Sequence, residues 1–408
     1  MLRLDPETKA KFAKFKRNKI AWRSLLALVL LFLLSLPAEF LFNDKPILMS
    51  LDGNWYSPVL FTYTYKDLGG EQGAPVLDYH SETFNRFVKG ERVKVNLDVL
   101  FPEPTPLSRE ALKQQPTVSN KALITYQEGN PRNHWAINPP FKHSDRSFYT
   151  STILDRQVLA SPLSTEFNGK SLPGSHHEQH WLGTDKTGKD VLARLVYGFR
   201  LSILFGILLA ISSTIIGSFI GGVQGFFGGL VDLIGQRCEE IWGSMPRLLL
   251  LIILSDFISR MGGLTVYQHV GMLFFILNLT SWMGMASHMR AQFLKARNLD
   301  YVKAAKCMGV SNLRIMFVHI LPNSLTPIIT FLPFSIAGSI MALVSLDFLG
   351  FGLTYPAPSL GEMLSQGQEN LEAWWIMIPT FCILSSMMIL LTFVGDGVRN
   401  VFDPRHKG

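Results

Sequence analysis

The chain has 408 residues, 48% of them hydrophobic and only 17% charged, with a mean hydropathy of +0.21. Soluble domains carry about 25% charged residues, so this composition excludes a disordered chain and an ordinary water-soluble domain. The net charge of +7 is spread in a way that excludes a nucleic-acid face: 8 basic and 3 acidic groups in residues 1–42, 17 and 17 in 43–197, and 13 and 11 in 198–408. A neutral middle between slightly basic ends is the signature of a membrane topology.

A spanning helix needs about 20 mostly apolar residues, because lipid offers the backbone no hydrogen-bond partners. The first such stretch is residues 24–42, interrupted only by Glu39 and preceded by Lys9, Lys11, Lys14, Lys16, Arg17, Lys19 and Arg23. The basic flank, residues 1–23, is expected in the cytoplasm. A cleaved signal peptide fits less well, since the basic stretch is long for such a leader and Leu36-Pro37-Ala38 is a poor small-x-small site.

Residues 43–197 hold no spanning segment and are rich in Pro, Asn, Thr and aromatics. They read as a soluble, loop-rich or β-containing insertion on the outer side of the first span. Residues 54–65 (NWYSPVLFTYTY) alternate enough for a strand, while residues 101–106 and Pro139-Pro140 read as turns or extended loop.

Two patterns near the end of this region imitate chemistry. His176, His177, Glu178 and His180 cluster as metal ligands do, but the spacing is H-E-x-H, which does not put two imidazoles one helical turn apart on one face. A solvated linker is the plainer reading. Residues 183–190 (GTDKTGKD) nearly form a P-loop, yet Asp190 stands where a hydroxyl would hold Mg²⁺ and Asp185 places an anion where phosphate would lie. A structural turn is expected there.

Beyond it, residues 201–231, 261–289, 315–346 and 373–395 carry no formal charge. A weaker stretch, 241–258, contains Arg247 and Asp256. With it the count is six spans, and both termini are expected in the cytoplasm. Arg247 follows Pro246 at the expected inner end of its span, where snorkelling to headgroups is favoured over a pore charge. Gly217, Gly221 and Gly225 recur at i+4 and line one helix face, where a second helix can approach closely; Gly228 and Gly229 read as the loop that ends the span. The cysteines Cys238, Cys307 and Cys382 form no CxxC pattern and are expected as buried free thiols.

Between the fourth and fifth spans, residues 290–323 hold six basic side chains against the single acid Asp300. This loop is expected in the cytoplasm. Asp300 opens a helix-forming run (residues 301–308, YVKAAKCM), Gly309 interrupts it, Ser311 or Asn312 can cap a second short helix, and Pro322 closes the loop. Such an element could act as a lid, a lipid-binding amphipath or a docking surface.

Lys303-Ala304-Ala305, Gly309 and Leu321-Pro322 resemble the EAA loop (EAA-x3-G-x9-I-x-LP) of ABC-importer permeases, with Lys303 in place of the Glu and His319 in place of the Ile. Residues 180–200 (HWLGTDKTGKDVLARLVYGFR), 225–232 (GFFGGLVD), 345–352 (SLDFLGFG), 358–361 (PSLG) and 394–405 (VGDGVRNVFDPR) are similar, in family order, to blocks of the C-type permeases of dipeptide and oligopeptide importers. A single N-terminal span followed by NDKP (43–46) and a large outer insertion is similar to the Yej-type branch, associated with peptide-like substrates including microcin C.

The resemblance implies an all-α polytopic membrane protein of the type I importer fold, with its permease core in residues 198–408, in a bacterial inner membrane. It implies a non-catalytic subunit that holds no cofactor, ATP and Mg²⁺ being bound by partner ATPase subunits. The expected partners are a homologous permease, those ATPases, a periplasmic peptide-binding protein and the lipid bilayer, with no nucleic acid. Lys303, Ala304, Ala305, Gly309, Arg314, Leu321 and Pro322, within a coupling loop of residues 290–322, are the expected contact to the ATPase. The alternatives are a self-sufficient secondary transporter, against which no inverted repeat or intramembrane carboxylate set is found, and a membrane-anchored peptide-processing enzyme.

Overall fold

The computed structural model describes residues 6–43, 45–61, 63, 67–68, 79, 92–95, 124–127, 134–141, 150–151, 156–157, 166–167, 170–171, 180–260, 266–353 and 357–402. Its described helices in chain order are α1 (Pro6–Arg17), α2 (Lys19–Ser35), α3 (Ala38–Leu41), α4 (Val191–Phe227), α5 (Gly229–Gly243), α6 (Arg247–Arg260), α7 (Val266–Ser281), α8 (Met283–Ala296), α9 (Asp300–Cys307), α10 (Leu325–Phe348), α11 (Leu360–Glu369) and α12 (Trp374–Phe402). Between α9 and α10 lie one helical turn (Asn312–Arg314), a π-helix (Ile315–Ile320) and a 3₁₀ turn (Pro322–Ser324). The described strands are β1 (Leu48–Leu51), β2 (Asn54–Tyr56), β3 (Arg92–Val95), β4 (Ile124–Gln127), β5 (His134–Ile137) and the two-residue pairs β6–β7 (Thr150–Ser151, Arg156–Gln157) and β8–β9 (Glu166–Phe167, Lys170–Ser171).

The chain divides into two compact units, residues 37–147 and the remainder. The smaller unit carries a three-stranded antiparallel sheet in the order β2-β1-β5 and the separate pair β3–β4. Asp52 and Gly53, both at positive φ, make the two-residue turn between β1 and β2, a conformation that Asp-Gly tolerates. β2 is shorter than the alternation suggested, ending at Tyr56, two residues before Pro58. Trp55 and Trp135 pack edge to face across the sheet face at 5.1 Å, and Phe42 stacks on Phe141 at 4.6 Å.

The larger unit is helical, and α4, α10 and α12 are long and apolar enough to cross a membrane. Three bent pairs bring the number of candidate spans up to six: α1–α2 at 93°, α5–α6 at 77° and α7–α8 at 42°. The first span differs from the expected 24–42. It starts at Lys19, where the Asn18 side chain accepts the Ala21 N–H, and stops at Ser35, before Pro37 removes a backbone donor. The helical unit also begins before residue 198. Asp190 caps α4 by accepting the Ala193 N–H at 2.7 Å, which starts the helix at Val191.

Three apolar clusters hold this unit together. α1 and α2 cover α12, with Phe15, Ala21 and Leu28 packing beside Leu384, Met387, Leu391 and Val394. A second cluster joins α4, α6, α7 and α10 through Leu209, Leu251, Leu277 and Leu343. The third joins the end of α4 to α8, α9 and the π-helix. Large side chains such as Leu30, Leu34, Ile253 and Phe257 point outward, as lipid-facing residues do. Cys238, Cys307 and Cys382 are free but exposed rather than buried. A lone thiol is small and only weakly polar, so an outward helix face tolerates it as well as a core does.

The glycine stripe closes the α4–α8 contact. A Cβ at Gly217 would meet the Trp282 carbonyl and Met285, one at Gly221 the backbone of Ala286, and one at Gly225 the Arg290 carbonyl and Phe293. Gly229 faces open space, so the stripe ends where the loop begins. Gly221→Leu is therefore expected to cost about 1–3 kcal/mol by overpacking. Gly271→Ala, where a Cβ meets nothing within 4 Å, serves as the control and should stay within about 0.5 kcal/mol of the parent. Unfolding in detergent micelles measures both.

Candidate functional site

α9 is a short amphipathic helix with Val302 and Ala305 buried against Phe293, Ala296, Ile315 and Ile320. Its end satisfies the last carbonyls. The Gly309 N–H donates to Lys306 O at 3.0 Å and the Val310 N–H to Ala305 O at 3.1 Å. Gly309 sits at φ +78°, the left-handed conformation this cap requires. Val310 then folds back onto the cluster beneath α9. The chain turns away through Ser311 into Asn312–Arg314 and the π-helix.

The outward face carries Lys303, Ala304, Lys306, Met308, Gly309, Leu313 and Arg314, with Met308 75% and Leu313 62% exposed. Of the seven expected contact residues, Lys303, Ala304, Gly309 and Arg314 share this exposed surface, while Ala305 is buried as the floor of α9. Leu321 is half-buried and Pro322 begins the 3₁₀ turn, so both anchor the segment to α10. Lys303 lies 3.4 Å from the fully exposed Asp300 carboxylate, one turn back. Lys306 reaches over the Phe226 ring at the end of α4, 5.1 Å from its centroid.

One ion pair underlies this segment that local sequence reasoning missed. Asp232, in the first turn of α5, accepts two bonds from the Arg290 guanidinium, the one from Nη2 at 2.8 Å. The Arg297 guanidinium packs against Gly228, directly before α5. The two partners are 58 residues apart, and a local pattern could show only that an acid opens α5.

A second polar cluster lies at the start of α4. The Asp185 carboxylate accepts the N–H groups of Thr187 and Lys189 and the Thr187 hydroxyl at 2.7–2.9 Å, and pairs with Arg194. Arg194 also bonds Glu362 at 2.6 Å. The P-loop-like turn is therefore filled by its own carboxylate. His180 bonds Asp190 at 2.8 Å; His176, His177 and Glu178 lie outside the described residues. No group of metal-ligating residues occurs among the described residues. The motif blocks SLDFLGFG and PSLG meet here too: Asp347 accepts the Leu353 N–H at 2.7 Å and the Ser359 hydroxyl at 2.5 Å.

Arg247 begins α6 after the bend at Ser244–Pro246, is itself exposed, donates to Ser281 Oγ at 2.9 Å, and lines a cavity between helices. The bends at residues 244–246 and at Trp282 bring it there, and neither is marked by charge in the sequence.

Apolar helices long enough to span, a small-residue helix contact and a basic amphipathic segment held between two spans define a polytopic transport component. The chain belongs to the family of binding-protein-dependent transport system inner membrane components, whose pattern matches residues 200–408. Over 404 residues it is 37% identical to the inner membrane ABC transporter permease protein YejE of Escherichia coli K12, covering 99% of both chains. Over 403 residues it is 40% identical to the peptidoglycan transport system permease protein YejE of Agrobacterium fabrum, covering 98% of this chain and 94% of that one. The dipeptide transport system permease protein DppC of Haemophilus influenzae is 34% identical over 228 residues, 55% of this chain and 74% of its own. The chain is thus an ABC-transporter permease of the inner-membrane type, similar along its whole length to Yej-type permeases.

Asp232→Asn and Arg290→Gln are each expected to weaken the α5–α8 junction. The double variant should lose less than the sum, with a coupling of about 1 kcal/mol or more. A double-mutant cycle of unfolding in micelles tests this, and additive losses would remove the pair from the account.

Proposed function

We propose that this chain is one of two permease subunits of an importer for peptides or peptide-bearing compounds, and that the 290–322 segment transmits ATP-driven closure of partner ATPases to the spans. The observation that carries this is the exposed face of α9 and the following turn. It presents Lys303, Lys306 and Arg314 around apolar Met308 and Leu313, while its other face is packed onto α8 and the end of α4. A surface of this kind suits a groove with an apolar floor and acidic rim. Motion of that groove would move α8 as a rigid body, because α9 shares its apolar cluster. The peptide substrate rests on the relatives' names, which include dipeptide and peptidoglycan transport.

In this reading ATP and Mg²⁺ are held by the ATPases, the chain itself performs no chemistry, and both termini face the cytoplasm. An external binding protein delivers substrate, and residues 43–197 contribute to its docking. Lys303 in place of an acid favours a partner groove that carries a compensating carboxylate.

Co-purification of the tagged chain in mild detergent tests the assembly. A second permease and an ATPase should elute with it; a chain that elutes alone and transports unaided in liposomes would overturn the reading. Coupling has its own test. A Cβ at Gly309 meets nothing within 4 Å, so Gly309→Val acts through backbone strain of about 1–2 kcal/mol at positive φ rather than by collision. The variant should insert normally and hydrolyse ATP, with uptake reduced several-fold. Deleting residues 60–165 should likewise impair uptake driven by the binding protein, and full uptake would sink the docking role of the insertion.

A further inference from the structure

A cavity of about 280 Å³ lies between α4, α8 and α10 at the start of α6. It gathers the hydroxyls of Ser213, Thr214, Ser281, Ser335 and Ser339 around one cation, Arg247. Ser281 donates its own proton to the Leu277 carbonyl at 2.7 Å, so it meets Arg247 as an acceptor and orients the guanidinium. A guanidinium has five N–H donors in a planar fork, and among the described residues no carboxylate pairs with it. Thr214 is 94% buried, yet its Oγ1 has no hydrogen-bond partner. A buried hydroxyl left unsatisfied is costly and calls for an occupant.

The cavity lies at two helix breaks, the bend before α6 and the bend at Trp282 before α8. Against these stand mid-helix positions of α4 and α10. Broken helices beside a polar pocket are a way in which membrane transporters build a site between spans. Arg247 is itself exposed, so its guanidinium is accessible to an anion that enters the cavity.

We propose that this cavity is an anion station on the translocation path, where Arg247 takes the carboxylate end of the transported compound and Thr214 supplies a hydroxyl. This deepens the importer reading and rests on it for the identity of the passing compound. The volume is below the about 300–1,000 Å³ of drug-sized pockets, so the cavity receives one end of a chain and not a whole peptide. The carboxylate is the group that matches a planar guanidinium fork two bonds at a time. His288, its ring stacked on Phe331 at 4.3 Å, and Met285 complete the wall on the α8 side.

Met285 supplies a reporter. The full chain, with the subunits that co-purify, is placed in phosphatidylcholine nanodiscs with ¹³C-methyl methionine, the Met285 signal being assigned through Met285→Leu. Tri-alanine and its C-terminal amide are the probes. Tri-alanine should move the Met285 methyl saturably, and the amide should need about tenfold more or fail to act. Arg247→Gln should abolish the preference for the acid, while Arg247→Lys, which keeps the charge and loses the fork, should retain it in weakened form. A Met285 signal indifferent to tri-alanine, or equally sensitive to acid and amide, would overturn the proposal. So would a shift produced by phosphatidylglycerol nanodiscs alone that excludes the tripeptide, since the occupant would then be a lipid headgroup. Uptake of tri-alanine by cells carrying the complete importer is read in parallel. If uptake is absent while the Arg247-dependent shift persists, the substrate reading fails and the anion station stands; if uptake proceeds unchanged in Arg247→Gln, the station is overturned.

Discussion

The contact between α4 and α8 is the constraint on which the rest of this molecule depends. In lipid, two apolar helices gain little from hiding their surfaces, and close packing must supply the attraction. Gly217, Gly221 and Gly225 let the backbones meet along that seam. α8 is thereby held rigidly along its length, and its two ends have different duties. Its first residues, Gly284, Met285 and His288, border the cavity. Its last turns, through Arg290, Phe293 and Ala296, carry the ion pair to Asp232 and the floor beneath α9.

The bends in the helical unit are filled rather than loose. At Trp282 two indole N–H groups, from Trp242 and Trp282 itself, donate to the Leu279 carbonyl at 3.1 and 3.0 Å. The Ser281 hydroxyl takes up the Leu277 carbonyl. A backbone break at membrane depth is tolerated when side chains replace the missing partners. Here the same side chains join the α5–α6 bend to the α7–α8 bend, since Trp242 and Arg247 come from one and Leu279 and Ser281 from the other. The two bends form one hinge region tied by two hydrogen bonds.

Much of this was legible in the primary structure because bilayer physics leaves a coarse signature. Long uncharged runs marked the spans, the i+4 glycines marked the seam, and Gly309 marked the end of α9. Their limits were less legible. The charge-free run of residues 261–289 covers parts of two helices, because a 42° bend at Trp282 changes no hydropathy. The first span ended seven residues before the apolar run did, since Pro37 acts through the backbone and not through polarity. Pairs distant in the chain, Asp232 with Arg290 and Arg194 with Glu362, left no local trace. The bond from Arg247 to Ser281 left no local trace either, because it depends on two helix bends. In the β-rich unit the alternation over residues 54–65 pointed to a strand that ends at Tyr56, and the Asp52-Gly53 turn before it went unread.

The length of α4 has a mechanical meaning. Its 37 residues at 1.5 Å each make a rod of about 55 Å, whereas a bilayer with its headgroups is about 40–45 Å thick. Unless it is steeply tilted, at least one end of the rod stands beyond the headgroups. The buried Asp185–Arg194–Glu362 cluster sits at its first turn, where charges are assembled without crossing hydrocarbon, while Lys306 rests on Phe226 at its last. Seen as a lever, a rod of that length moves its ends by roughly 1 Å relative to each other for each degree of tilt. A few degrees, well within the spread of tilts that membrane helices adopt, amount to the diameter of a side chain.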